Sequence, residues 1–360
     1  MKSADTKSDS SNALIAREQE PLNLEMPFST LSSFITPNEL FYVRCHFPIP
    51  EIAADDWRLQ VEGEVDAPFE LTYDELLAME SRTVAATLEC AGNNRIFLEP
   101  KVKGVQWELG AVGNASWSGV PLSALLDRAR IRAGAIEVIL EGADEGEVDK
   151  APKPAGKISF CRSLPLGKAR TDVLLAYEMN GEKLSAAHGF PLRAIVPGWY
   201  AMASVKWLRR IIITSKPFNG FYQSLDYSYW DRSGALPTLA PLAEQQTKAE
   251  IARPENGEVI SASSAHRIHG AAWSGEGEIT KVEISVDSGA SWREAKLLGE
   301  PVKNAWRLWE YQWQTPVQAG RQTLFARATD SRGQVQPSER SGDRGTYMIN
   351  HLLPVEVEVR

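Results

Sequence analysis

The chain has 360 residues, 43% hydrophobic and 24% charged, with a formal charge of -8. That length exceeds what one core usually organises and predicts two domains, while the acidic balance excludes a nucleic-acid surface, which needs a basic field. A small anionic ligand would have to be met by clustered arginines that overcome this background.

Residues 1–20, MKSADTKSDSSNALIAREQE, are polar and serine-rich and read as a loose tail. They hold no apolar core of signal-peptide length and no twin arginine near the start, and no run further on reaches membrane-spanning length. The expectation is a cytoplasmic protein, or a periplasmic one if a leader was removed. In YVRCH (42–46), extended backbone would put Arg44 and His46 on one face. In LTYDELLAME, Thr72 and Glu75 form a capping box that starts a helix.

TVAATLEC alternates like a strand and then breaks into Ala-Gly-Asn-Asn, so Cys90 sits where a strand gives way to a turn. A cysteine there is either a small buried hydrophobe or a thiolate aimed at a metal or an electrophile. NASW sets Trp117 in a Gly/Asn/Ser loop. VPLSALLDRAR then places Leu122, Leu125, Leu126 and Ala129 on one helical face. AIEVIL and DVLLAY read as buried strands, Asn180-Gly181 as a hairpin turn, and VKWLRRIII as another strand. HGFPLR joins His188 to Arg193. The stretch 214–258 is rich in proline, glycine and aromatics and carries Tyr227 in DYSYW, a linker with some further task.

Beyond it Val282, Ile284 and Val286 alternate with polar residues, as do Trp309, Tyr311 and Trp313, with RQTLFARATD as a further strand. Short alternating strands predict an immunoglobulin-like sandwich. The reading is therefore a mixed α+β domain over 21–240 and an all-β immunoglobulin-like domain over 241–360. Trp306, Trp309 and Trp313 serve there as interface anchors or as sandwich core.

The three cysteines, Cys45, Cys90 and Cys161, contain no close CxxC pair, no CxxCH haem attachment and no iron–sulfur spacing. Taken singly, a histidine is a hydrogen-bonded structural residue and an arginine a solvated charge. Taken together, the five stretches supply a soft thiolate, several cations and ring donors, a set that suits a soft metal and an oxyanion.

YVRCHFPIP, LECAGNNR, VKGVQWELGAVGNASWSGVPL, YEMNGEKL with HGFPLRAIVPG, and SVKWLRRI resemble, in order, the motifs of the sulfite oxidase family of molybdenum enzymes. GAAWSGEGEITKVEISVDSGASW resembles the start of that family's dimerisation domain, so the likeness runs from about residue 25 to the C-terminus. The resemblance implies one molybdopterin per molybdenum, with Cys90 as the single protein ligand to the metal. It implies pterin contacts at Tyr42, Val43, Arg44, Cys45, His46, Asp144, His188, Arg193, Ser204, Val205 and Lys206. It implies an anion pocket built from Arg44, Arg95, Trp117 and Tyr227, with Arg344 as a distal arginine. It also implies sulfite as substrate, oxidised by oxygen transfer, a homodimer, and an external electron acceptor such as a cytochrome or oxygen, since no haem is attached to this chain.

Two positions depart from the family. Cys45 stands where members that oxidise sulfite commonly have asparagine, and Asn94 where they have arginine. The second change is expected to remove a cation from the funnel leading to the metal. Cys161 has no family role and is expected in the core. Three rivals remain: the same cofactor acting on another sulfur oxyanion or sulfoxide-type substrate, a zinc site of Cys90, His46 and His188, or a non-catalytic scaffold.

Overall fold

The structure is a computed structural model and describes residues 13–149 and 151–360. Most of the expected tail, residues 1–12, lies outside the described residues. Ile15–Glu18, by contrast, is no tail: it is a strand paired with Asn23–Glu25, which in turn pairs with Val43–Arg44.

The first half is built on two larger sheets. One runs in the order Phe69–Thr72, Arg58–Gly63, Leu208–Thr214, Glu137–Gly146, Ile158–Pro165. The other orders Glu182–Lys183, Leu174–Met179, Val112–Pro121 and Arg82–Glu89, with Arg193–Ile195 also pairing Leu174–Met179. The Tyr73–Leu77 helix starts on the expected capping box, and the Leu122–Ala129 helix buries Leu122, Leu125, Leu126 and Ala129 completely. Asn180 and Gly181, at φ +54° and +80°, turn the chain so that Met179 faces Glu182. The strand expected from Val205 starts only at Leu208, because Ser204 to Trp207 are drawn aside: Val205 accepts from the Ala194 N–H and Trp207 takes φ +50°.

The second half is a mostly β unit of two sheets. Lys248–Arg253, Ala265–Trp273, Arg307–Gln314 and Lys296–Leu297 form one, and Val259–Ile260, Val355–Val359, Gly320–Asp330, Ile279–Ser285 and Arg293–Glu294 the other. Ile268, Trp309 and Trp313 of the first meet Val282, Leu324 and Val357 of the second in a shared core. Trp309 and Trp313 are thus core residues within the chain rather than outward anchors. Trp306 does a different job: it is buried with Met26, Phe28, Val112, Ala252 and Trp273 in a cluster that draws on both halves, and its Nε1 donates to Phe34 O at 2.8 Å. The linker is structured as well. Phe221–Asp226 forms a π-helical turn, and Ser228–Asp231 pairs with Thr238–Pro241. No helix among the described residues is long and apolar enough to cross a membrane.

Candidate functional site

A cavity of about 650 Å³ of empty space, its open mouth included, lies where the two first-half sheets and the Tyr227 turn meet. Each of these elements delivers one or two side chains to it. The short Val43–Arg44 strand behaves as its alternation predicts: Val43 and Cys45 are buried against Trp207, while Arg44 and His46 line the cavity. Cys90 follows the last residue of the Arg82–Glu89 strand. Its turn is closed by the Asn93 N–H donating to Cys90 O at 2.9 Å, and by the Asn93 carboxamide accepting from the Ala111 N–H at 3.0 Å. The thiol is free and buried.

Asp144 reaches the cavity from a bulge between Glu141 and Glu145 in the Glu137–Gly146 strand, the kind of irregularity that re-aims a side chain. Gly142 permits it, since a Cβ there would collide with the Asp144 carboxylate. His188 ends a short turn capped by Ser185, and Arg193 opens the next strand. Its guanidinium lies 4.9 Å above the Trp117 ring and donates to His188 O at 3.0 Å, but its Nε is buried without a partner. Lys206 Nζ donates to Ala187 O at 2.9 Å and to Cys45 Sγ at 3.3 Å.

Arg44, Arg193 and Lys206 are thus three cations on one lining that has a single carboxylate, Asp144. A chain of net charge -8 therefore does hold the clustered positive charge that an anion requires. Burial sets the protonation of the ring donors. It holds His188 down to about 3, with Arg193 and Lys206 adding to the effect, and holds His46 well below the usual imidazole range, helped by Arg44. Both are neutral near pH 7. Burial also lifts Asp144 to about 6 against the pull of Lys206, and pushes the Tyr227 phenol up, so that it stays protonated. His46 Nε2 and Tyr227 Oη are 2.6 Å apart, and His46 stacks on Phe160 at 4.3 Å.

Tyr42, Arg44, His46, Cys90, Asp144, His188, Arg193, Ser204, Val205, Lys206 and Tyr227 all line this cavity. Of the expected pterin contacts Val43 and Cys45 do not, and of the expected anion pocket three residues do not. Trp117 is fully buried in the Arg82–Glu89 sheet and supports Arg193 from behind. Arg95 is not on the lining; its Nε donates to Thr346 O at 3.2 Å and its Nη1 to Val105 O at 2.8 Å. Arg344 is held by Asn350 at 2.6 Å and Gln246 at 2.9 Å. Asn94 is also off the lining: it is buried at φ +72° and bonds Glu250 and Lys248 of the second half. Cys161 is half-buried on a strand rather than in the core, its thiol pushed up to about 12 by burial and Glu141.

The zinc alternative fails on geometry, because among the described residues no three His, Cys, Asp or Glu side chains converge as ligands. Sequence reasoning missed Phe160 and Met202 in the lining, and Tyr347, whose ring packs 4.8 Å from that of Tyr227. The last comes from 120 residues further along the chain, and no local pattern marks it.

Comparison with known proteins agrees with this assembly. The model of the oxidoreductase molybdopterin binding domain matches residues 46–222, and that of the Mo-co oxidoreductase dimerisation domain residues 240–358. The sulfite oxidase of Arabidopsis thaliana is 34% identical over 354 residues, covering 90% of this chain and 88% of that protein. The mitochondrial sulfite oxidase of Rattus norvegicus is 36% identical over 344 residues, and there this chain spans only 61% of the relative's length. Among solved structures, the sulfane dehydrogenase SoxCD from Paracoccus pantotrophus superposes with a TM-score of 0.79 at 29% identity, covering 97% of this chain and 85% of that one.

Proposed function

Because the chain belongs to the molybdopterin oxidoreductase family of the sulfite oxidases, we propose that it oxidises sulfite to sulfate at the Cys90 cavity and passes the electrons to an external acceptor. The observation that carries this reading is the convergence on one lining of a free, buried thiol and three cations, of which Arg193 is buried and has an unpartnered guanidinium nitrogen. A buried unsatisfied donor costs free energy unless a ligand meets it, and an anionic pterin cofactor does so. Cys90 would bond the molybdenum. Arg193, Lys206 and His188 would hold the pterin's charged end, with Tyr42, Asp144, Ser204 and Val205 and the backbone of Val43 and Cys45 around it.

When bound, the cofactor supplies an oxygen atom to the substrate sulfur and takes up two electrons. In balance, sulfite and one water become sulfate, two protons and two electrons. The side chains do the rest. Arg44 meets the oxyanion with a charge-assisted hydrogen bond. His46, neutral and fixed by its stack on Phe160, donates to the Tyr227 oxygen in the tautomer that carries its proton on Nε2. This frees the phenolic proton of Tyr227 to point at a substrate oxygen. Phe160 and Met202 limit the water around it.

The test is protein from cells grown on molybdate, assayed for sulfite-dependent reduction of a one-electron dye, with two dye molecules reduced per sulfate formed. Tyr227→Phe should keep the metal and lower kcat by about 10- to 100-fold. Metal-loaded protein that reduces no dye with sulfite sinks the reading. A second reading keeps cofactor and fold and takes another reduced-sulfur substrate, favoured by the superposition on a sulfane dehydrogenase. Thiosulfate-type and sulfoxide-type substrates in the same assay separate the two. We further take 21–240 and 241–360 as the domain limits, with the second domain as an immunoglobulin-like sandwich that pairs two copies of the chain.

A further inference from the structure

We propose that Cys45 and Lys206 form a redox cross-link through one oxygen atom, an N–O–S bridge, which impedes loading of the cofactor at the Cys90 cavity. The effect on loading rests on the placement of the pterin given above; the cross-link itself does not. Lys206 Nζ lies 3.3 Å from Cys45 Sγ. Both partners are fixed in that contact. The Cys45 N–H donates to Asn23 Oδ1 at 3.0 Å, and the Cys45 side chain is buried with Val43 and Trp207. Lys206 Nζ also donates to Ala187 O at 2.9 Å and lies 4.1 Å from the Trp207 ring centroid. The lysine stem passes over Gly189, at φ +103°, where a Cβ would stand 3.0 Å from Lys206 Cβ.

Lys206 lines the cavity and touches the buried thiol, so an oxidant the size of water that enters by the mouth reaches the pair along the lysine. Hydrogen peroxide is such an oxidant. One peroxide gives an oxygen to the thiol, forming a sulfenic acid, and leaves as water. A second hydroxylates the neutral amine and also leaves as water. The S–OH and N–OH groups then condense to S–O–N with loss of a third water. Sulfur and nitrogen together give up four electrons, and the two peroxides take them. An intervening oxygen closes a 3.3 Å gap with less movement than a direct sulfur–nitrogen bond. Burial lowers Lys206 from its ordinary value, against the pull of Cys45, and so favours the neutral amine that reacts. The bridged nitrogen carries no positive charge at neutral pH. The lining then keeps Arg44 and Arg193 but loses its third cation for the pterin's charged end. The asparagine common at this position in the family cannot be oxidised in this way, so the switch belongs to the cysteine that this chain carries.

The experiment uses the full chain from cells that make no pterin cofactor, treated with hydrogen peroxide labelled with heavy oxygen, digested and read by mass spectrometry. The peptides carrying Cys45 and Lys206 should appear joined, heavier than their sum by one labelled oxygen and lighter by two hydrogens, and a dithiol reductant should part them. Cys45→Ser and Lys206→Arg should show no joined peptide, and Cys45→Asn serves where Ser does not fold. Uptake of added molybdopterin-bound molybdenum is measured in the same samples, each form against its own untreated sample. In the parent, peroxide should weaken cofactor binding about tenfold through the loss of one charge-assisted hydrogen bond, and the reductant should restore it. Cys45→Ser should keep its untreated affinity. A folded parent without the joined peptide overturns the proposal. So does a joined peptide that lacks the oxygen, a joined chain that loads within twofold of the untreated one, or a loss of loading that Cys45→Ser shares. None of these readouts needs sulfite, so a loaded chain that fails to oxidise it tells against the proposed reaction alone.

Discussion

Two imidazoles buried beside cations make a pH signature. His188 is held down to about 3 and His46 well below the ordinary value, so the folded chain leaves both unprotonated while the unfolded chain protonates them near 6.5. Stability is then full above about 6.5 and falls as the pH drops through that value, by up to about 1.4 kcal/mol per unit for each ring. Asp144, lifted to about 6, acts with the opposite sign between its ordinary value and 6 and offsets part of the loss. Urea midpoints of the cofactor-free chain from pH 7.5 to 5 should decline, and His188→Gln should flatten the slope. A level profile in the parent contradicts this account. At this scale the sequence showed much. Alternation alone placed Arg44 and His46 together, and the break after Glu89 placed Cys90 in its turn. The partners of Arg95, Trp117 and Arg344 were not legible, because residue type and spacing say nothing of where a loop side chain finds its carbonyls or its core.

Strand ends decide how the Cys90 turn is held. Glu89, next to the cysteine, is buried and accepts from Lys248 Nζ at 2.8 Å and from Trp273 Nε1 at 2.9 Å. Lys248 also pairs with Glu250 at 3.1 Å and bonds Asn94. One buried ammonium thus stands between two buried carboxylates on the Arg82–Glu89 and Lys248–Arg253 strands. Burial pushes Glu250 up, and Lys248 holds it back. Replacing Lys248 by Met strands both carboxylates, and removing one member of such a group costs about 3–5 kcal/mol. Thermal unfolding of Lys248→Met should show that loss and Glu250→Gln a smaller one, because the remaining Glu89 and Lys248 still pair. Equal losses would show that the cluster does not act as drawn. Strands and helices were legible from periodicity and caps. This cluster was not, since its members lie about 160 residues apart and each reads alone as a surface charge.

At the scale of the whole molecule the two halves share both a core and a site. Met26, Phe28 and Val112 pack with Ala252, Trp273 and Trp306, and Thr346 and Met348 bond the loop that carries Arg95 and Ala91. The second half therefore supports the Cys90 turn directly. Near-ultraviolet and far-ultraviolet signals of the full chain should unfold in one coincident transition, and two separated transitions would mean that the halves are independent. The division into a mixed half and a β half could be read from the change in pattern after residue 258. The contact between them could not, because it joins residues that neither periodicity nor turn chemistry relates.

The central claim, that Cys90 is the protein's bond to molybdenum, is tested most directly by X-ray absorption at the metal edge in the parent and in Cys90→Ser. The account predicts a metal with one sulfur neighbour fewer in the variant, together with loss of sulfite-dependent dye reduction. An unchanged sulfur count around the metal would contradict it.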